Sequence, residues 1–212
     1  MATDYPLVGP PSITVGQFAS VLATAHSPAA PEAASMYAAI TRQGIDPAVV
    51  LAIMQHESNF GRAGIAVGRQ NGFGSRYYAG IPGATNRGGW ASFTSWTAGA
   101  AYTASLLAGS RYAGSSNANT ARTFPTVYAP SSDGNNPSSY GATIVNTINR
   151  WKGMPAVAAP KAAAKPAAKP STTVPAATAP AAPAAAGGGL LTPMHALVIV
   201  GGVAILAVLV KR

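Results

Sequence analysis

Cysteine is absent from the 212 residues. That excludes a disulfide scaffold, a thiolate nucleophile, and thiolate-ligated zinc or iron–sulfur centres. Charge is scarce as well: 9% of residues are charged, against about 25% in an average soluble domain. Acids are the rarest group, with five in all: Asp4, Glu32, Asp46, Glu57 and Asp133. Any carboxylate chemistry must draw on these. A divalent-cation site, which favours clustered carboxylates, is disfavoured, and neither metal nor cofactor is expected. Aromatic residues make up 8% of the chain. No Lys/Arg cluster is interleaved with them, so nucleic acid is not an expected partner.

What the chain does have is positive charge, with a formal net value of +9. Residues 1–153 hold nine Lys/Arg and all five acids; residues 154–212 hold Lys161, Lys165, Lys169, Lys211 and Arg212 and no acid. Such a balance favours anionic surfaces such as membranes or cell-wall polymers.

The composition breaks near residue 153. Of the 36 residues from Met154 to Gly189, 16 are Ala and 7 are Pro, and none is aromatic. This run lacks the apolar surface needed to offset chain entropy. Its prolines favour extended polyproline II, so residues 154–189 read as a tether. At about 3.1 Å per residue it reaches on the order of 100 Å. Leu190–Val210 follows as 21 residues without Asp, Glu, Lys or Arg. A helix of that length is roughly 31 Å long and matches a bilayer core. Residues 190–212, closed by Lys211 and Arg212, are therefore expected to form a C-terminal transmembrane anchor. The first residues, MATDYPLVGPPSITV, have neither the basic nor the apolar stretch of a signal peptide. A tail-anchored protein is expected, in a bacterial envelope or in the virion of a membrane-containing phage, with envelope or virion proteins as neighbours.

Residues 1–153 read as one mainly helical domain. Thr14 or Ser12 is placed to cap a helix over 15–25, and Pro31-Glu32 opens another that ends before Gly44. Asp46-Pro47 is a strong start signal, Asp as N-cap and Pro in the first turn. It begins AVVLAIMQHESNF, which Gly61 is placed to end. Residues 61–93 are Gly-rich and read as loop with at most a short hairpin. Helices are expected over 92–108, over 117–124, and from Asn136-Pro137 to Trp151.

Glu57 lies near the end of the third helix. The negative end of the helix and an apolar setting both favour its protonated form. A carboxyl kept protonated near neutrality is what a glycosidic general acid requires.

The run GIDPAVVLAIMQHESNFGRAGIAVGRQNGFG, residues 44–74, resembles the signature of bacterial glucosaminidase domains. These include endo-β-N-acetylglucosaminidases and the peptidoglycan hydrolase domain of flagellar rod-cap proteins. Weaker matches extend the resemblance over about residues 12–152. It implies a lysozyme-like, mainly α-helical fold with a small β element, and cleavage of glycosidic bonds in peptidoglycan glycan strands. By resemblance, Glu57 is the general acid and Ser58 and Gly61 belong to its motif. Asn71, Phe73 and Gly74 line the sugar groove, and Tyr140 lies near the catalytic Glu. Trp90 and Tyr128 are aromatic rings suited to stacking on sugar faces. Trp96 and His56 read as core or supporting residues.

The sequence departs from the family in one respect. Many members have a second carboxylate after the catalytic Glu, whereas residues 58–132 contain no acid. Asp133, in SSDGNNP, reads as a turn residue and is also the one candidate for the second group. Three readings stay open: a hydrolase whose second group is Asp133 or the substrate's own N-acetyl group, a lytic transglycosylase that uses Glu57 alone, and an inactive wall-binding membrane protein.

Overall fold

A computed structural model describes residues 4–156. The expected tether beyond residue 156 and the expected anchor at 190–212 lie outside the described residues. Within the described residues no helix is long and apolar enough to cross a membrane.

The architecture is mainly helical with one small sheet. Helix α1 (Val15–Thr24) begins with a capping box in which Thr14 Oγ1 accepts from Gln17 N at 3.1 Å and Gln17 Oε1 accepts from Thr14 N at 2.9 Å. It buries Phe18, Val21 and Leu22. A short 3₁₀ turn leads into α2 (Ala33–Thr41). Helix α3 (Pro47–Ser58) starts at the expected Asp-Pro pair. The Asp46 carboxylate accepts from Ala48 N at 3.0 Å and ties in Ser12 N at 3.0 Å. Its first eight residues, Pro47–Met54, are all buried. A helix apolar on every side belongs at the centre of a fold, and α1, α2, α4 and α6 all pack on α3.

Two strands, β1 (Ala84–Arg87) and β2 (Trp90–Phe93), form an antiparallel hairpin through Gly88 and Gly89, both at positive φ. This is the turn that matches strand twist. Helix α4 (Trp96–Ala108) packs against α2, and a one-turn α5 (Pro125–Tyr128) precedes α6 (Pro137–Lys152).

Three boundaries correct the sequence reading. Helix α4 starts at Trp96 rather than Ser92, because Ser92 and Phe93 are taken by β2. Ser95 caps it, and the Glu32 carboxylate accepts from Trp96 N at 3.3 Å and Thr97 N at 2.9 Å. Residues 117–124 are not a helix. Their backbone pairs with the N-terminal segment, Leu7 N to Asn119 O at 2.8 Å and Ala121 N to Tyr5 O at 2.7 Å. Helix α3 ends at Ser58, with Asn59 at φ 48° as its left-handed cap, two residues ahead of Gly61.

Candidate active site

Glu57 is the penultimate residue of α3, at the edge of the all-buried stretch. Tyr140, in the first turn of α6, donates its hydroxyl to Glu57 Oε1 at 2.7 Å. The α3–α6 packing that brings them together joins residues 83 apart in sequence. The Tyr140 ring is 6% exposed and is held on three sides. Phe124 meets it edge-on at 5.8 Å, Tyr128 lies at 6.3 Å, and the His56 ring lies at 4.1 Å. On the other side, a Cβ on Gly74 would sit 3.5 Å from Glu57 Oε2. Among the described residues Oε2 has no hydrogen-bond partner.

The electrostatics follow from this geometry. Desolvation by the aromatic wall and helix interior pushes the Glu57 carboxyl up to about 7, and the Tyr140 hydrogen bond pulls the other way. Burial drives the Tyr140 and Tyr128 hydroxyls well above their ordinary range, and the nearby Glu57 carboxylate adds to the shift. Tyr140 therefore stays a neutral donor. Burial also lowers the His56 pKa.

The expected site residues divide into two groups. Glu57, Gly74 and Tyr140 come together. Ser58, Asn71, Phe73 and Tyr128 are near them, with their side chains buried. Ser58 Oγ lies 2.7 Å from Gly72 O and accepts from Gly61 N at 2.8 Å, so it pins the following loop to the end of α3. Asn71 donates to Ser75 O at 2.8 Å and Ala91 O at 2.9 Å and accepts from Ser75 N at 2.8 Å. It fastens the Gly74 strip to the hairpin. Phe73 is core, and Tyr128 donates to the Phe73 carbonyl at 3.1 Å. Trp90 is half-buried and carries the Arg76 guanidinium 3.7 Å above its ring centroid. Sequence reasoning missed Arg76, because 14 residues separate it from Trp90 and only the strand bridge between them reveals the pair.

Asp4 accepts from Tyr5 N and Arg122 N, Glu32 caps α4, and Asp46 caps α3. Asp133 stands exposed on a 3₁₀ turn, where its carboxylate accepts from Ser132 Oγ at 3.2 Å. Of the five carboxylates, only Glu57 is both partly buried and, among the described residues, without a backbone N–H donor on its carboxyl.

A protein-family model described as glucosaminidase, mannosyl-glycoprotein endo-beta-N-acetylglucosaminidase, matches residues 33–153. The chain belongs to this family. The membership supports a glycoside hydrolase acting on peptidoglycan. No curated protein and no solved structure matches the chain.

The Tyr140–Glu57 bond makes a directional prediction. If protonated Glu57 is the working form, the alkaline limb of the pH–rate profile falls with a midpoint near 7. Tyr140→Phe removes the donor that favours the carboxylate. The limb then moves to higher pH, with kcat lowered by about tenfold through lost orientation. A limb that stays put or moves to lower pH would contradict this arrangement.

Proposed function

We propose that the domain cleaves glycosidic bonds of peptidoglycan with Glu57 as general acid. The observation that carries this reading is a carboxyl pushed up to about 7, with Tyr140 on one oxygen and the other oxygen left for a ligand. Tyr140 occupies Oε1, so the proton resides on Oε2, on the side of the Gly74 strip. Transfer of that proton to the glycosidic oxygen lets the leaving sugar depart as its neutral alcohol and leaves Glu57 ionised. The carboxylate then takes a proton from the incoming nucleophile. If that nucleophile is water, the product has a reducing end. If it is the substrate's own C6 hydroxyl, the product is a 1,6-anhydro sugar.

Asp133 is outside this scheme, because it is exposed on a turn and its carboxylate has Ser132 Oγ as its partner among the described residues. The other three acids are held by backbone N–H groups. One-carboxylate chemistry is therefore our reading, with hydrolysis favoured by the family. Digestion of sacculi followed by mass spectrometry tests it. Hydrolytic products are heavier by one water than anhydro products. Asp133→Asn is expected to retain activity within about threefold, whereas a loss of 100-fold or more would make Asp133 the second catalytic group.

The length and charge of the C-terminal segment support membrane attachment through 190–210, with 154–189 as the tether that lets the domain reach the wall. The site of action in this reading is a bacterial envelope or the internal membrane of a phage virion during genome entry. Co-flotation of the full chain with lipid vesicles, and its loss on removal of residues 190–212, checks the anchor.

A further inference from the structure

The segment opposite Glu57 carries an unusual charge pattern. Residues 58–132 contain six arginines, no lysine and no acid. Four of the six, Arg62, Arg69, Arg76 and Arg87, fall within 62–87, the loop and hairpin beside the site. Three of these four are spent on the fold. Arg62 donates to Ala25 O at 2.9 Å, Arg69 to Ile65 O at 3.3 Å, and Arg87 to Gly68 O at 2.8 Å. Arg76 differs. It is exposed, its guanidinium lies over Trp90, and it makes no side-chain hydrogen bond among the described residues.

Its backbone is fixed. Arg76 bridges Trp90, while Tyr77 N donates to Gly89 O at 3.1 Å and Ala91 N donates to Ser75 O at 3.0 Å. Gly74, where an added Cβ would lie 3.5 Å from Glu57 Oε2, is two residues from Arg76. That separation is roughly 7 Å of extended backbone, on the order of one sugar ring. A guanidinium stacked on indole is weakly hydrated, oriented, and keeps its fork of N–H donors for a planar anion. The complementary group is a carboxylate held by two parallel hydrogen bonds.

From this we infer that Arg76, seated on Trp90, recognises a carboxylate of the glycan's lactyl or peptide substituents close to the cleaved bond, and so selects acidic peptidoglycan over neutral N-acetylglucosamine polymers. This rests on the glycan-cleaving reading above and specifies the substrate that reading requires.

Calorimetric titration of the full-length Glu57→Gln chain separates binding from cleavage. The probes are muropeptide tetrasaccharides with free carboxylates, the same fragments amidated, peptide-stripped glycan that keeps its lactyl carboxylate, and neutral chito-oligosaccharide. Free-acid fragments are expected to bind about tenfold tighter than amidated ones, the weight of one charge-assisted pair. Adding Arg76→Ala collapses that preference to near unity, and Arg76→Lys restores only part of it. Arg87→Ala leaves the preference in place, which separates local recognition from general basicity. In a stem-bearing fragment the lactyl carboxyl is already tied up as an amide, so a free-acid preference there reports a stem-peptide carboxylate. Peptide-stripped glycan that binds as tightly shows that a free lactyl carboxylate fits the same site; one that binds like the amidated fragment shows that only the peptide carboxylate does. Equal losses for charged and neutral ligands in a folded Arg76→Ala chain would overturn the assignment. So would indifference to amidation combined with Arg76-dependent binding of teichoic-acid phosphate. Failure of the cleavage reading has a different signature: no products from the wild-type chain while carboxylate-dependent binding persists.

Discussion

Glu57→Gln is expected to reduce glycan cleavage by roughly 10³-fold while leaving the fold intact. Gln keeps the shape and can still accept from Tyr140, but it has no proton to give. The same substitution should stabilise the domain in alkaline solution. Burial raises the Glu57 pKa from 4.5 to about 7 on folding. Below pH 4.5 the carboxyl is protonated in both states and has no effect. As pH rises toward 7 the unfolded chain loses the proton first, so stability falls, and above 7 the whole cost is present. Gln has no such slope. Discounted for partial exposure, the gain is about 2 kcal/mol at pH 8 and near zero at pH 4. Denaturant melts of wild type and variant at the two pH values measure it. An equal difference at both would mean that Glu57 is not desolvated in the native state. Stabilisation paired with inactivity is what a residue retained for chemistry rather than structure should show.

Gly141→Ala has the largest expected effect on stability. Helix α6 is buried at Gly141, and a Cβ there would overlap the Arg122 carbonyl oxygen and lie 2.8 Å from its carbon and 3.0 Å from its Cα. These are backbone atoms with little freedom to retreat, since Arg122 N is itself held by Asp4 Oδ1 at 3.1 Å. Alanine gains about 1 kcal/mol in helix propensity over glycine. The overlap outweighs that gain, for a net loss of about 3 kcal/mol and a fall in Tm of about 10 °C. Tyr140 is the preceding residue, so displacement of α6 also takes the hydroxyl from Glu57. Thermal melts together with activity at a permissive temperature check both consequences. A stabilised variant would refute the close approach of α6 to the Arg122 carbonyl.

Local chemistry made much of the helical frame legible. Asp46-Pro47 and Asn136-Pro137 start helices as their side chains dictate, and Thr14 builds its own capping box. Scarcity of acids singled out Glu57, and the family resemblance brought Tyr140 to it. Long-range pairing defeated the rest. Ser92 and Ser95 are both competent helix starters, and the decision came from strand pairing with β1 and from Glu32, 63 residues before Ser95. Residues 117–124 read as a short helix, but the N-terminal segment takes their backbone. Asn71 and Ser58 look like ligand-binding residues in sequence; their hydrogen bonds fasten loops, and they reach the site through Gly74 rather than directly.

General-acid chemistry at Glu57 requires its carboxyl to remain protonated up to neutrality. The chain contains only two glutamates, Glu32 and Glu57. A ¹³C-glutamate label therefore gives two carboxyl signals, and Glu57→Gln identifies one by its disappearance. Titration of that signal by NMR should show a midpoint near 7. A midpoint between 4 and 5, the range of an ordinary solvated glutamate, would contradict the account.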